Sequence, residues 1–338
     1  MQGLLTCWVL DHPAHLQLFR GFVSKGSNLD LLIATRRPEV ETMLAEGISP
    51  LPKRETVWVK RPAGKRLLPL QRELRALNRM LRVRKALLRR QRLGHPIERI
   101  ITKGAPLELW AAKRAKVPQR WYLTDTEVHH LAHRLALSSA TDVVLPSVWR
   151  EDLDGGFLSA CRERGVRIHF FEGALPHAYL SPPNSPPIDE EEGIPRILHR
   201  TLEGGGAHDK GELVSSAPLV PNLGMRVLTV AEGSPVQDPW GLPSSLTQFD
   251  GVLSESVTLA QEAVCQGVPT LLVTKGRRGF LDEHVGDGLL YRIESTNRGL
   301  SLDNEVATWR EAVLSRRRNG LVPVAWSDSK SELEAMWR

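Results

Sequence analysis

The chain has 338 residues, 41% of them hydrophobic and 25% charged, the balance of a globular protein long enough for two domains. No apolar run is long enough to span a bilayer, and Cys7, Cys161 and Cys265 are scattered without a C-x-x-C pair, which argues against a disulfide framework or a zinc site and for reduced thiols in a cytoplasmic protein. The net charge of +6 is local: residues 53–92 hold fifteen Lys and Arg against Glu55 and Glu73 alone, so the basic character is a patch suited to an anionic partner.

The opening MQGLLTCWVL has no basic leader and runs straight into Asp11 and His12, so residues 4–10 read as a first strand and not as a signal peptide. A turn over Asp11-His12-Pro13-Ala14-His15 leads into a helix carrying Leu16, Leu18, Phe19, Phe22 and Val23; residues 29–34 are the next strand and 38–46 the next helix. Strands alternating with helices at this spacing predict a parallel sheet wrapped by helices, in which ligands sit beyond the carboxyl ends of the strands. The loop from Asp11 to His15 falls at such an end. His12 and His15 are therefore candidate acid/base groups with Asp11 as a partner, the alternative being that they cap or pack the first helical turn.

After a linker rich in Lys, Pro and Gly, residues 66–92 predict a long basic helix with Leu70, Leu74, Leu77, Leu81 and Leu88 on one face. Such a helix suits an anionic membrane surface, or a lipid-linked or polysaccharide acceptor, and would make the protein peripheral at the inner membrane face; a solvated face is the plain alternative. Nucleic acid is the weaker partner, because no aromatic ring interrupts the run to stack a base. Strands follow at 97–102 and 120–123, the second leading into Thr124-Asp125-Thr126-Glu127-Val128-His129-His130. Asp125 and Glu127 can orient sugar hydroxyls or help place a base, and His129, His130 and His133 add titratable groups. A metal site is disfavoured, since helix capping explains Asp125 and no distant ligand cluster matches it.

Residues 142–146 read as the last main strand of the first domain, with a helix at 155–165, a further strand at 167–171 and a stiff proline-rich linker at 181–187. The domains are then 1–180 and 188–338. In the second, a strand at 194–199 ends at Arg200, a candidate for diphosphate contact; a flexible glycine run follows at 203–207 and a strand at 224–231. Residues 249–273, FDGVLSESVTLAQEAVCQGVPTLLV, form the most informative stretch: strand, polar loop, helix, strand. Such a unit aims unpaired helix N–H groups past the carboxyl end of its first strand, a ready phosphate site that Ser254, Ser256 and Thr258 would line, and Glu262 stands one turn inside to grip ribose hydroxyls. The tail is helical from Asp303, with Trp309 and Val313 on its apolar stripe, and is a candidate to cross back to the first domain.

Thr258, Glu262, Gly267 and Pro269 are similar to the nucleotide-sugar motif of two-domain (GT-B type) glycosyltransferases and nucleotide-sugar 2-epimerases. Asp11-His12-Pro13-Ala14-His15, Ala34-Thr35-Arg36, Asp125-Thr126-Glu127, His133-Arg134-Leu135, the run 140–146, Gly173 with His177 to Leu180, and Gly288-Leu289-Leu290-Tyr291, in this order, resemble the prokaryotic family catalogued as domain of unknown function 354. The resemblance covers residues 4 to about 291 and implies an α/β chain of GT-B type, two Rossmann-like doubly wound domains facing a cleft. It implies a glycosyltransferase that moves a sugar from a nucleotide-diphosphate sugar, its donor substrate, to an acceptor hydroxyl without a required metal or further cofactor. A 2-epimerase is the enzymatic alternative. Two departures stand out: Ser254-Glu255-Ser256-Val257-Thr258 replaces a glycine-rich stretch, where Glu255 would repel phosphate, and Val128-His129 replaces an expected His-Ala. They keep open a third reading, a catalytically degenerate scaffold that binds nucleotide or an anionic surface.

Overall fold

The computed structural model describes residues 4–61, 69–183, 193–202, 213–234, 236–285, 287–295 and 300–338. The expected helix start at 66–68, residues 184–187 of the proline-rich linker and the glycine run at 203–207 lie outside these residues. The chain folds as two units, the first comprising Met1–Tyr179 with Ser329–Arg338 and the second Leu180–Asp328.

Seven parallel strands form the sheet of the first unit: β1 (Thr6–Leu10), β2 (Leu31–Arg36), β3 (Glu55–Lys60), β4 (Arg99–Lys103), β5 (Gln119–Leu123), β6 (Asp142–Pro146) and β7 (Arg167–Phe171), in the spatial order β3-β2-β1-β4-β5-β6-β7. β1 and β6 are buried at every position, as strands covered by helices on both faces must be. Helices α1 (Pro13–Lys25), α2 (Pro38–Met43), α3 (Pro69–Arg92), α4 (Pro106–Arg114), α5 (His130–Leu137) and α6 (Phe157–Glu163) connect the strands. The strand order reverses between β1 and β4, which makes the mouth between their carboxyl ends the natural ligand position.

Two expectations change. The stretch read as a linker before the basic helix contains the edge strand β3, ETVWVK, only one residue of which is fully buried; flanking Lys, Arg and Pro hid it. And the leucine face of α3 points outward. Leu70, Leu74, Leu77 and Leu81 are 45–66% exposed, whereas Arg79, Val83, Leu87 and Arg90 are buried. Arg79 lies two residues from both Leu77 and Leu81, about 200° round the helix, so the arginine faces the sheet and the leucines face away.

The second unit has a five-stranded parallel sheet of β8 (Arg196–Thr201), β9 (Arg226–Ala231), β10 (Gly251–Ser254), β11 (Thr270–Val273) and β12 (Leu290–Ile293), in the order β12-β11-β10-β8-β9. Its reversal falls between β8 and β10. Helices α7 (Val257–Cys265), α8 (Gly279–His284) and α9 (Leu300–Asn319) belong to this unit, and Trp309 of α9 is fully buried with its indole N–H donating to Pro269 O at 3.1 Å. A last helix, α10 (Ser329–Met336), packs within the first unit: Ser329 Oγ donates to Glu172 O at 2.6 Å, and the Trp337 ring lies 4.8 Å from Phe22 and 5.9 Å from Trp8.

Helix α7 stops where it does because of Gly267, at φ +67°. The Val268 N–H donates to Ala263 O at 3.0 Å and the Gly267 N–H to Val264 O at 2.9 Å, the paired bonds of a Schellman cap. A Cβ at Gly267 would also run into the Val322 carbonyl oxygen. Gly267→Ala is therefore expected to destabilise the second unit by about 2 to 4 kcal/mol, combining left-handed strain with the backbone clash. Urea unfolding measures it, and an unchanged midpoint would contradict this role.

Candidate functional site

The polar loops at the switch point of the first sheet are built around one guanidinium. Arg79, 3% exposed on α3, donates through Nη1 and Nη2 to Asp11 Oδ1, both at 3.1 Å, through Nη1 to Thr35 Oγ1 at 3.0 Å, and through Nε to Glu108 of α4. The Thr35 hydroxyl donates in turn to Asp11. Burial alone would push the Asp11 carboxyl up; Arg79 and Thr35 outweigh it and hold it well below the usual carboxylate range. Burial pushes Glu108 up despite the same arginine.

With Asp11 fixed, its backbone N–H donates to His15 Nδ1 at 3.3 Å, and His12 caps α1 by accepting the Ala14 N–H at its own Nδ1 at 3.2 Å. The two rings lie 6.1 Å apart. An Nδ1 that accepts an amide proton must carry its lone pair there, so each neutral ring bears its proton on Nε2 and is a donor at that atom. Both rings are held neutral: burial, then Lys103, lowers His15 to about 3, and burial, then Arg37, lowers His12 well below its ordinary value. As placed, each histidine is a hydrogen-bond donor and must release its amide before it can take a proton from an acceptor. The capping role weighed for His12 is the one observed.

At the end of β5, Asp125 pairs with Lys103 Nζ at 3.0 Å; burial raises its pKa, but Lys103 prevails and holds it below the usual range. Glu127 does not open to a ligand: it is 1% exposed, and its Oε1 accepts the Arg150 N–H at 3.3 Å, tying the loops after β5 and β6 together. His133 is also inward, 1% exposed and stacked 4.3 Å from Phe157, where burial lowers it to about 4. His130 contacts Leu153 O at 2.9 Å. Among the described residues, no three His, Cys, Asp or Glu converge as metal ligands.

In the second unit the candidate donor site is the mouth of α7 beside the reversal between β8 and β10. Ser256 caps the helix by accepting the Leu259 N–H, and the Ser256 N–H donates to Ser254 Oγ at 2.9 Å. The Ala260 N–H reaches back to Ser256 O. Among the described residues the Val257 and Thr258 N–H groups have no partner, which leaves two amides and the half-buried Thr258 side chain at the helix's positive end. Glu262 stands one turn further on, on the same face as Thr258, and is 5% exposed. Arg200 pairs in register with Ser254, and its Nη1 donates to Ala231 O at 2.9 Å.

Glu255, expected to repel phosphate, is turned into the unit. Its carboxylate accepts from Leu202 N–H at 2.8 Å, Ser216 N–H at 2.8 Å and Ser216 Oγ at 2.7 Å. Ser216 Oγ lies 2.7 Å from His199 Nε2, and His199 Nδ1 lies 3.2 Å from the exposed Thr229 Oγ1, so the glutamate anchors a polar chain that runs from the buried Ser216 and His199 out to β9.

The structure thus gathers Asp11, His12, His15 and Asp125 round the first switch point, and Arg200, Ser254, Ser256, Thr258 and Glu262 round the second. Arg79, Glu108 and Lys103 in the first unit, and Ser216 with His199 in the second, escaped the sequence reading. The one available signal was Arg79 standing opposite the leucine face of its helix.

No protein-family model and no curated protein sequence matches the chain. Solved structures do. A putative UDP-N-acetylglucosamine 2-epimerase from Listeria monocytogenes is similar with a TM-score of 0.63 at 13% identity, over 99% of this chain and 95% of that one. The UDP-GlcNAc 2-epimerase from Neisseria meningitidis, bound to UDP-GlcNAc, matches at 0.62 and 9% over 98% of each chain. A UDP-glucosyltransferase from Polygonum tinctorium matches at 0.56 and 12%, over 100% of this chain and 99% of that one. The fold of this chain is therefore the α/β, two-Rossmann-domain GT-B fold that epimerases and glycosyltransferases share.

Proposed function

We propose that this chain is a glycosyltransferase of the GT-B type, taking its sugar from a nucleotide-diphosphate sugar bound at the mouth of α7. The observation that carries the reading is that mouth: two amides with no partner among the described residues and a threonine hydroxyl at a helix N-terminus, with a carboxylate one turn behind on the same face. Amides and dipole suit the diphosphate, which gains charge as the sugar departs, and Glu262 suits the paired ribose hydroxyls. The inward turn of Glu255 removes the main objection to an anion there, and Arg200, at the adjacent strand end, adds a cation. This assigns the role of the developing-charge stabiliser to protein groups, without a required metal. The ordered motifs shared with domain of unknown function 354 support placing the chain in that family.

A second reading, nucleotide-sugar 2-epimerisation, is favoured by one feature of the first unit. Both imidazoles spend their Nδ1 lone pairs on backbone amides and Asp11 is held by Arg79 and Thr35, which leaves the Asp125 carboxylate at the end of β5 as a group that can receive a C2 proton once it parts from Lys103. Product analysis separates the two. Nucleoside diphosphate released only when an acceptor is present supports transfer; an isomerised sugar nucleotide formed without acceptor supports the epimerase; binding without either product leaves the degenerate scaffold.

Glu262→Ala is expected to weaken nucleotide binding by about 1 to 3 kcal/mol, the scale of a lost hydrogen bond to a charged group. Calorimetry on a folded variant measures it, and unchanged affinity would remove the ribose assignment. For transfer, one of His12 and His15 must serve as base after freeing its Nδ1. His12→Ala or His15→Ala should then lower turnover by about 100- to 10,000-fold while donor affinity holds. Wild-type turnover in both variants would move the base to Asp125.

The same histidines set a pH dependence. His15 titrates at about 3 in the folded protein against an ordinary 6.5, so the folded state binds the proton less readily than the unfolded chain. The stability this contributes is whole above pH 6.5 and is lost as the pH falls toward 3. His15→Gln should flatten that acid limb, and a limb of unchanged slope would argue against the neutral ring.

A further inference from the structure

Helix α3 carries nine Lys and Arg against Glu73 alone, and it presents two unlike faces. Arg79 and Arg90 are turned inward, Arg79 to Asp11 and Glu108, Arg90 to Glu55 at 3.2 Å. The opposite face holds Leu70, Leu74, Leu77 and Leu81, all exposed, at successive spacings of four, three and four residues that align them in one ridge. Arg75, Arg82, Arg84 and Lys85 are exposed around it. Because Arg79 meets Asp11 and Thr35 at the carboxyl ends of β1 and β2, the ten residues before it run on past that sheet edge by about 15 Å.

A contiguous apolar ridge of this size on a water-facing helix marks a surface that something covers. The surrounding charge selects the occupant. A second copy of the same helix would bring two sets of cations together, whereas an anionic bilayer neutralises the arginines while its acyl boundary takes up the leucines. We propose that α3 is a membrane-docking helix that lays Leu70, Leu74, Leu77 and Leu81 into the interface of a bilayer containing acidic lipid. Docking there puts the Asp11–Arg79 edge of the first sheet, on the other side of the same helix, close to the lipid surface. The inference is independent of which reaction the chain performs.

Flotation of the full chain tests it, with vesicles of phosphatidylcholine alone and of phosphatidylcholine mixed with phosphatidylglycerol. The expected result is recovery with the mixed vesicles only, falling as salt is raised. Replacing Leu74 and Leu77 together by Glu should weaken partitioning by about ten-fold or more per leucine, and reversing Arg75 and Arg82 to Glu by about five-fold or more per residue. All four side chains are exposed, so both variants should melt as wild type does. Recovery that is equal on both vesicle types, absent on both, or unchanged in the leucine variant would overturn the proposal. So would a lipid-free dimer that the leucine variant dissolves.

Discussion

The buried guanidinium of Arg79 is the interaction on which the first unit turns. It joins α3 to the ends of β1 and β2 and to α4 through Asp11, Thr35 and Glu108. A charge so far from water is tolerable only because two carboxylates and a hydroxyl surround it, and removing one side of such a group costs about 3 to 5 kcal/mol by leaving the other uncompensated. Two consequences follow from the same contact. Asp11 is fixed so that its amide sets the tautomer of His15, and α3 is rotated so that its leucines face outward.

The second unit solves a parallel problem with the opposite charge. Glu255 sits where a glycine would let a phosphate approach, yet its carboxylate is spent on Ser216 and Leu202. The loop after β10 is thereby fastened to the loop after β8, and the amides of Val257 and Thr258 are left at the mouth of α7. Rigidity that glycines do not provide comes instead from a buried hydrogen-bonded glutamate, which is also what makes an anion site compatible with this sequence.

Local pattern sufficed where local physics governs. Apolar runs such as those of β1 and β6 had to be buried parallel strands, and Gly267 followed by Pro269 had to end α7. What escaped were partnerships across long stretches of chain. Arg79 meets Asp11 over 68 residues and Glu255 meets Ser216 over 39, and no periodicity encodes either. The leucine stripe of α3 was legible as a stripe, but which face turns inward depends on the carboxylates that wait there. β3 was lost because an edge strand need not be apolar. Glu127 and His133 looked like site residues by type and position, and only burial shows that they serve the loops and the core.

On the proposed function, the mouth of α7 binds the diphosphate and ribose of a sugar nucleotide. A thermal-unfolding panel of the wild-type chain with nucleosides, nucleoside diphosphates and nucleotide-diphosphate sugars tests it most directly, since a ligand of the native state alone must raise apparent stability. Higher melting temperatures are expected with the diphosphates and their sugars, and little change with the nucleosides that lack phosphate. A panel in which no diphosphate compound raises the melting temperature, or in which the bare nucleosides do so equally well, would contradict it.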